Sequence, residues 1–567
     1  MVSKISKKQV KVKVPRAKAE IMHPPAPDDA VRAGNINVGG KAGALTNSGY
    51  SEAGASAVKR SMRGMPSVSI SAKEDIHDNL RTLRGRSRNL YMSAPLATSA
   101  INLNRTNVVG TGLKLKSTID REVLGLTQEQ AADWQKKAEA EFRLWSENKE
   151  MCDALGMNDF YRLQGLVLIS SLLSGDVFVL IKREDETALM PYSLRLHVIE
   201  ADRVRTPCKD ASFVSSMTTG KAENGNFIYD GIEVNGSGKV VAYHVANNYP
   251  FQFTFTDNKF VRIPAKGKET GLPNILHIIT PERPEQYRGV PYLSHVIEPL
   301  LQINRYTEAE IQAAIVQSFF TAFVVTKEDP TEYPFGEAME DGAVPDIRSG
   351  ENEYQMGPGT INVMAPGEDI KFSAPTHPQT GFDTFVKAMA QQVGAALEIP
   401  QTVLMKAFVS NYTAARGELM EAWKAFKTRR EWLADDFCRP VYELVITEAV
   451  ARGRLSAPGF FTDPLVRKAY LKSEWIGPSQ GQLDPKKEVE AAILNVQNGF
   501  SNRETEAIKL SGSEYASNVD RLMEENRRLA EALEPLNRME QAAFPDEPAA
   551  DGEEDGEEQT EGDEGQQ

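Results

Sequence analysis

An α+β fold is the class this 567-residue chain predicts, and three observations predict it. Helical apolar spacing fills the segments before residue 175 and after residue 381, period-two alternation fills much of 194–246, and one helix-spaced run from 291 to 318 is longer than a compact domain needs. At 41% hydrophobic content, a chain of this length supports two to four domains with real cores.

The elements follow in chain order. Residues 1–78 are rich in Gly, Ala, Ser, Pro and Lys, a composition that cannot bury enough surface to offset the ordering of a chain. They are expected to form a disordered arm, with seven Lys and Arg within the first eighteen residues. From Asn79 a helical pattern runs through "RSRNLYMSAPLATSAINLNRTNVVGTG" and another through "TQEQAADWQKKAEAEFRLWSENKE". "RLHVIEADRVRTP" and "GIEVNGSGKVVAYHV" read as strands, the second a hairpin turned by Asn235 and Gly236. Together, 79–285 is one α+β body.

Pro281, Pro284 and Gly289 then mark a loop, and Pro291 suits a first helical turn. Leu293, Val296, Ile297, Leu300, Ile303, Tyr306 and Ile311 keep one helix face apolar, so 291–318 reads as a strut spanning roughly 42 Å. "FFTAFVVTKED" and "INVMAPGEDIKF" read as strands of a small insertion, 319–380, and Phe382, Phe385, Val386, Met389, Val393 and Leu397 form a second amphipathic helix that Pro400 ends. The pattern is a stalk of two helices with a β-containing module at its tip. A third helix carries Leu419, Trp423, Phe426 and Leu433 on one stripe, and the rest of the chain to 540 reads as helical, with Leu522, Leu529, Leu533 and Leu536 in a loose heptad.

Charge is unevenly distributed. The net charge is −14, but the residues from Gln541 onward hold eleven acids and no base, which leaves 65 cations against 68 anions elsewhere. A body so balanced does not hold nucleic acid by counterion release. Cys152, Cys208 and Cys438 are too far apart for a CxxC half-site and read as buried small apolar residues. The most apolar run, Leu163 to Ile181, is interrupted by Ser170, Ser171, Ser174, Gly175 and Asp176, so no membrane span is expected.

No catalytic motif emerges. In "GNINVGGKAG", Gly39 is followed by Gly40 rather than Lys, and Ala42 stands where a magnesium-binding Ser or Thr belongs. "VVGTGLKLKS" has Gly110 and Gly112 but lacks a third glycine, and reads as a turn. His197, Glu200 and Asp202 are the nearest approach to an acid, base or metal cluster, and read more simply as a strand with its polar turn. Neither a cofactor nor an enzymatic activity is expected.

Seven stretches in order resemble the lambda-type portal proteins of tailed bacteriophages: "RSRNLYMSAPLATSAINLNRTNVVGTG", "VIEADRVRTP", "GIEVNGSGKVVAYHV", "HIITPERPEQYRGVPYLSHVI", "INVMAPGEDIKF", "NYTAARGELMEAWKAFKTRR" and "WIGPSQGQLDPKKEVEAAI". The resemblance covers about 79–512; it departs at Thr413 and Ala414, where serines are expected. It implies an α+β portal fold: wing 79–285, stem helices 286–318 and 381–398, clip 319–380, tunnel-loop region 399–412, a long helix 413–455, a helical crown region 456–540 and an acidic tail 541–567. It further implies a ring of twelve copies at one capsid vertex, the conduit for DNA packaging and ejection and the head-tail connection.

The implied partners are further copies of the chain, the terminase large subunit, the major capsid protein, a head-completion or adaptor protein, and double-stranded DNA passing without sequence specificity. No membrane partner is implied. The implied location is the virion, with assembly in the host cytoplasm. On this resemblance, Lys406, Ser410, Asn411 and Tyr412 are candidates to face DNA, and Arg283, Arg288 and Glu298, which flank the start of the stem, are candidates to bridge neighbouring subunits. A hydrolase built on His197, Glu200 and Asp202, or a capsid or tail protein without a channel, is the alternative.

Overall fold

The computed structural model describes residues 60, 69–207, 219–250, 259–318, 322–325, 361–364, 381–407, 412–481, 485–513 and 515–543. The chain divides into two compact units, Met1–Ile70 and Ser71–Gln567. Everything below concerns the second.

Its first helix, Ala72–Ser93, starts seven residues ahead of the expected Asn79, because Ser71 and Glu74 form a reciprocal capping box. Ala94 interrupts it, and Pro95 then opens a second helix, Pro95–Asn104, at a position where a missing N–H costs nothing. A five-residue π turn, Arg105–Val109, ends at Gly110. Helices Gln128–Ser146 and Phe160–Ser174 follow, each started by a side-chain cap from Thr127 or Asp159.

Two antiparallel sheets occupy the middle of the sequence. One has three strands in the order Leu194–Glu200, Asp176–Arg183, Ile275–Ile279. The other is a five-strand meander of Thr219–Lys221, Phe227–Tyr229, Ile232–Val234, Val240–Ala246 and Phe260–Pro264. The hairpin expected at Asn235–Gly236 forms with a longer turn. The Asn235 side chain accepts from the backbone N–H of Ser237 and of Lys239, and Gly238 rather than Gly236 takes the left-handed conformation, at φ 80°.

The main core joins segments far apart in sequence. Phe142 packs edge-on against Phe160, Tyr442 and Trp475, and Trp145 lies beside both Phe142 and Phe160. Each buried ring contributes ~2–3 kcal/mol by area. The indole N–H groups donate to carbonyls, Trp145 to Leu194 and Trp134 to Ser456. The body anticipated at 79–285 is therefore completed by helices Tyr412–Leu433 and Arg439–Ala451. A strand the sequence reading missed, Ser473–Ile476, also pairs antiparallel with Lys114–Ser117, so 456–540 is not wholly helical. Four residues are too few to show a period, and their partner lies more than 350 positions away.

Candidate functional site: the paired helices and their root

The expected strut forms as a 3₁₀ turn, Ser294–Val296, followed by an α-helix, Ile297–Ser318. Its 22 residues span ~33 Å rather than 42. Pro299 accounts for the difference: its ring excludes an α-helical carbonyl four residues earlier, at His295, so α-helical bonding begins later than Pro291.

The second helix, Phe382–Ala396, runs antiparallel to it. The direction follows from the contacts at the two ends. Tyr292 donates to the Leu397 carbonyl at one end, while at the other Tyr306 stacks on Phe382 at 5.6 Å and meets Phe385 edge-on at 4.9 Å. Pairing does not cover the apolar surface. Leu301, Ile311 and Phe385 remain 39%, 53% and 47% exposed. Between the two helices in sequence, Ala322–Val325 pairs in parallel with Ile361–Met364; the rest of 319–380 lies outside the described residues.

Beyond the second helix, Glu398 and Lys406 adopt left-handed backbone at φ 55°, bracketing a short helix, Gln401–Met405. A cleft of about 670 Å³ lies between this segment and helix Tyr412–Leu433. Its lining carries Glu398, Glu418 and Glu421 against Lys424 and Arg429, and Glu398 pairs with Arg429 at 2.7 Å. Such a lining does not attract a phosphate backbone. Of the residues expected to face DNA, Lys406 is exposed, Tyr412 opens the long helix, and Ser410 and Asn411 lie outside the described residues.

The three residues expected at a subunit boundary are placed differently from one another. Glu298 is exposed and accepts from Gln302 on the next turn. Arg283 pairs with Asp75 of the first helix. Arg288 corrects the expectation: it is wholly buried inside its own chain and cannot reach a neighbour. Its Nε donates to Asp176 Oδ2 at 2.6 Å and its Nη2 to Oδ1 at 3.2 Å. The remaining donors reach the carbonyls of Ala201 at 2.9 Å, Val204 at 2.8 Å and Asp230 at 2.6 Å.

Arg84 of the first helix adds a second guanidinium to Asp176 at 3.2 Å, and His277 lies 3.4 Å from the same carboxylate. Burial alone pushes the Asp176 carboxyl up, but Arg288 and Arg84, helped by the His277 hydrogen bond, hold it well below the usual carboxylate range. Burial brings His77, beside this cluster, down to about 4. Sequence reasoning did not find the network, although Gly175 next to Asp176 and Gly289 next to Arg288 are its visible trace.

The candidate acid-base cluster does not assemble. His197 and Glu200 stand three residues apart on one strand and so point to opposite sheet faces. Asp202 pairs with Arg88 and Arg84, and Glu200 with Arg88. The glycines of "VVGTG" serve packing: a Cβ on Gly110 would come within 2.5 Å of the Pro478 ring, and one on Gly112 within 2.5 Å of Tyr161. Cys152 and Cys438 are buried, as expected of them; Cys208 lies outside the described residues. Among the described residues no group of His, Cys, Asp and Glu is arranged to hold a metal, and no helix is long and apolar enough to cross a membrane.

Comparison with known proteins settles the family. Residues 58–430, more than half the chain, match the model of the lambda family of phage portal proteins. The chain belongs to that family. Its function is that of a phage portal protein, and members of this family are structural proteins. Portal protein B of Escherichia phage lambda is 21% identical over 486 residues, covering 83% of this chain and 88% of that one. The portal protein of Escherichia phage N15 is 21% identical over 501 residues, covering 84% and 89%, and the probable portal protein of Halomonas phage phiHAP-1 is 24% identical over 428. Among solved structures, a chain in the virion of a native gene transfer agent particle is 14% identical, with a TM-score of 0.35 over 76% of this chain and 92% of that one.

Proposed function

We propose that twelve copies of this chain close into a ring at one capsid vertex, through which the genome is packaged by the terminase and later ejected, and on which the head-tail connection is built. The apolar side chains left exposed on the paired helices carry this reading. Leu301, Ile311 and Phe385 are apolar side chains that the described residues leave exposed, and a closed ring of identical copies covers such side chains from both sides. The balance of charge outside the acidic tail agrees with a conduit, because a strongly basic bore would hold duplex DNA and stall it.

In this arrangement the paired helices are staves of the channel wall, Lys406 and the residues to Tyr412 face the bore, and Glu298 lies toward the neighbouring copy. Residues 319–380 meet the terminase large subunit and then the adaptor protein, and the major capsid protein surrounds the ring in the virion. Negative-stain microscopy of the purified full chain tests the reading: rings with a central hole are expected, and compact particles with no opening overturn it. A chain lacking 319–380 is expected to form rings yet fail in terminase-dependent packaging; normal packaging by that chain removes the assignment of this segment.

A further inference from the structure

We propose that the buried joint formed by Asp176, Arg288 and Gly289 sets the orientation of the stem against the wing sheets, and through it the number of subunits at which the ring closes. The inference rests on the ring reading above and assigns the control of its geometry to particular residues.

Three observations meet at this joint. First, one guanidinium ties three parts of the fold together. Arg288, at the root of the stem, binds Asp176 at the start of the central strand, the Ala201 and Val204 carbonyls that follow the neighbouring strand, and Asp230, in the turn between Phe227–Tyr229 and Ile232–Val234 of the meander. Second, the backbones at the joint have no slack. A Cβ on Gly289 would lie 1.9 Å from the Gly175 carbonyl oxygen, and one on Gly175 would lie 2.2 Å from that of Gly289. Gly289 also donates its N–H to Asp176 at 3.1 Å, and Tyr292 donates its backbone N–H to the Leu172 carbonyl at 2.9 Å. Third, Arg84 brings the first helix to the same carboxylate.

A buried ion pair is poor evidence for stability, since apolar side chains of the same volume do as well; its best-attested use is to fix one arrangement among several. A planar fork bound on several sides fixes direction in a way that apolar packing does not. The lever is long enough for this to matter. Adjacent copies are rotated by about 30° in a twelve-membered ring and about 28° in a thirteen-membered one, so closure distinguishes tilts of ~2°. Along ~33 Å of helix, such a tilt moves the far end by about 1 Å.

The test uses the full chain and single-particle classification of end-on ring views, with three variants. Arg288→Lys keeps the charge and loses the fork; Gly289→Ala keeps both charged side chains and wedges the backbones apart; Phe142→Ala destabilises the core away from the joint. The parent is expected to give one dominant subunit number. Arg288→Lys and Gly289→Ala are expected to raise the fraction of rings with other numbers by at least about threefold, while Phe142→Ala lowers the melting temperature without changing that distribution. Unchanged distributions in both joint variants overturn the proposal, as does the same spread in Phe142→Ala, which would make the effect one of general stability. Failure of both joint variants to fold also overturns it, because the joint would then be a folding requirement and not a setting of geometry. A parent without rings removes the ring reading itself, and this inference with it.

Discussion

Replacing Glu233 with Gln removes one negative charge from the middle of the five-strand meander and leaves the shape of the side chain. Glu233 is fully buried, and its carboxylate accepts from Arg262 Nε at 2.7 Å and Nη2 at 2.9 Å, and from the Asn224 and Asn226 amides at 2.7 Å each. The Arg262 hydrogen bond is the largest influence on this carboxyl and, with those of Asn224 and Asn226, brings it from 4.5 to about 2 against the opposing effect of burial. Taken in full, that displacement is worth ~3 kcal/mol; because the Arg262 side chain is 43% exposed and solvent screens it, ~2 kcal/mol is the usable figure.

The sign follows from the folded carboxyl being the stronger acid. Its contribution is fully present above about pH 5 and is lost as pH falls toward 2, because the unfolded chain takes up the proton first. Backbone hydrogen exchange over residues 232–246 reads the effect locally. At pH 7, Glu233→Gln should exchange roughly 30-fold faster than the parent, the equivalent of ~2 kcal/mol. After correction for intrinsic rates, parental protection should decline between about pH 5 and pH 2 more steeply than that of the variant, which lacks this carboxyl and keeps only the titration of neighbours such as His244, 3.2 Å from Glu233. Equal exchange at pH 7, or parallel pH profiles, would refute the reasoning.

Three further outcomes are expected. Phe142→Ala opens a cavity among Trp145, Phe160, Tyr442 and Trp475 and should cost ~3–5 kcal/mol; a thermal midpoint within about 1 °C of the parent would show that these rings are not central to the core. Burial pushes the Cys152 thiol up to about 12 and Cys438 well above its ordinary value. Peptide-resolved alkylation at pH 8 should therefore leave both unmodified in the native chain and modify both in denaturant, and native labelling of either would contradict the burial. Tyr306→Ala removes the contacts with Phe382 and Phe385 and should speed exchange across Phe382–Ala396 by roughly tenfold; unchanged exchange would mean that other contacts hold the pair together.

What was legible in the sequence is what has a local cause. Apolar spacing located the helix pair, alternation located Leu194–Glu200 and Val240–Ala246, and the breaks at Ser170 to Asp176 marked a real helix-to-strand transition. The early start of the first helix has a local cause too, since Ser71 and Glu74 stand at capping-box spacing inside a stretch whose composition otherwise favours disorder. The Ser473–Ile476 strand and the joint had no local cause. Arg288 sits in a polar loop with the appearance of a solvated charge, and its partners Asp176 and Asp230 lie 112 and 58 positions away. Only the fold shows that the loop is clamped against another backbone.

Several cations of this chain are engaged by its own acids and carbonyls. On the long helix, Lys424 pairs with Glu421 at 2.7 Å and Arg429 with Glu398 at 2.7 Å; just beyond it, Arg439 pairs with Glu431 at 2.6 Å. Arg430 donates to the carbonyls of Val108, Asn107 and Pro478. Arg84 and Arg288 are locked in the joint. In the proposed ring, a cation already paired with a carboxylate or with backbone carbonyls neutralises fewer phosphates and so releases fewer counterions from DNA. The contacts of Arg429 and Arg430 tie the long helix to the segments at Glu398, Val108 and Pro478, and those of Arg84 and Arg288 tie the first helix and the stem root to the sheets. In the proposed ring, contacts that stiffen the subunit while engaging its arginines suit a wall along which a duplex slides, and an arginine moved from these partners to the surface would weaken both properties together.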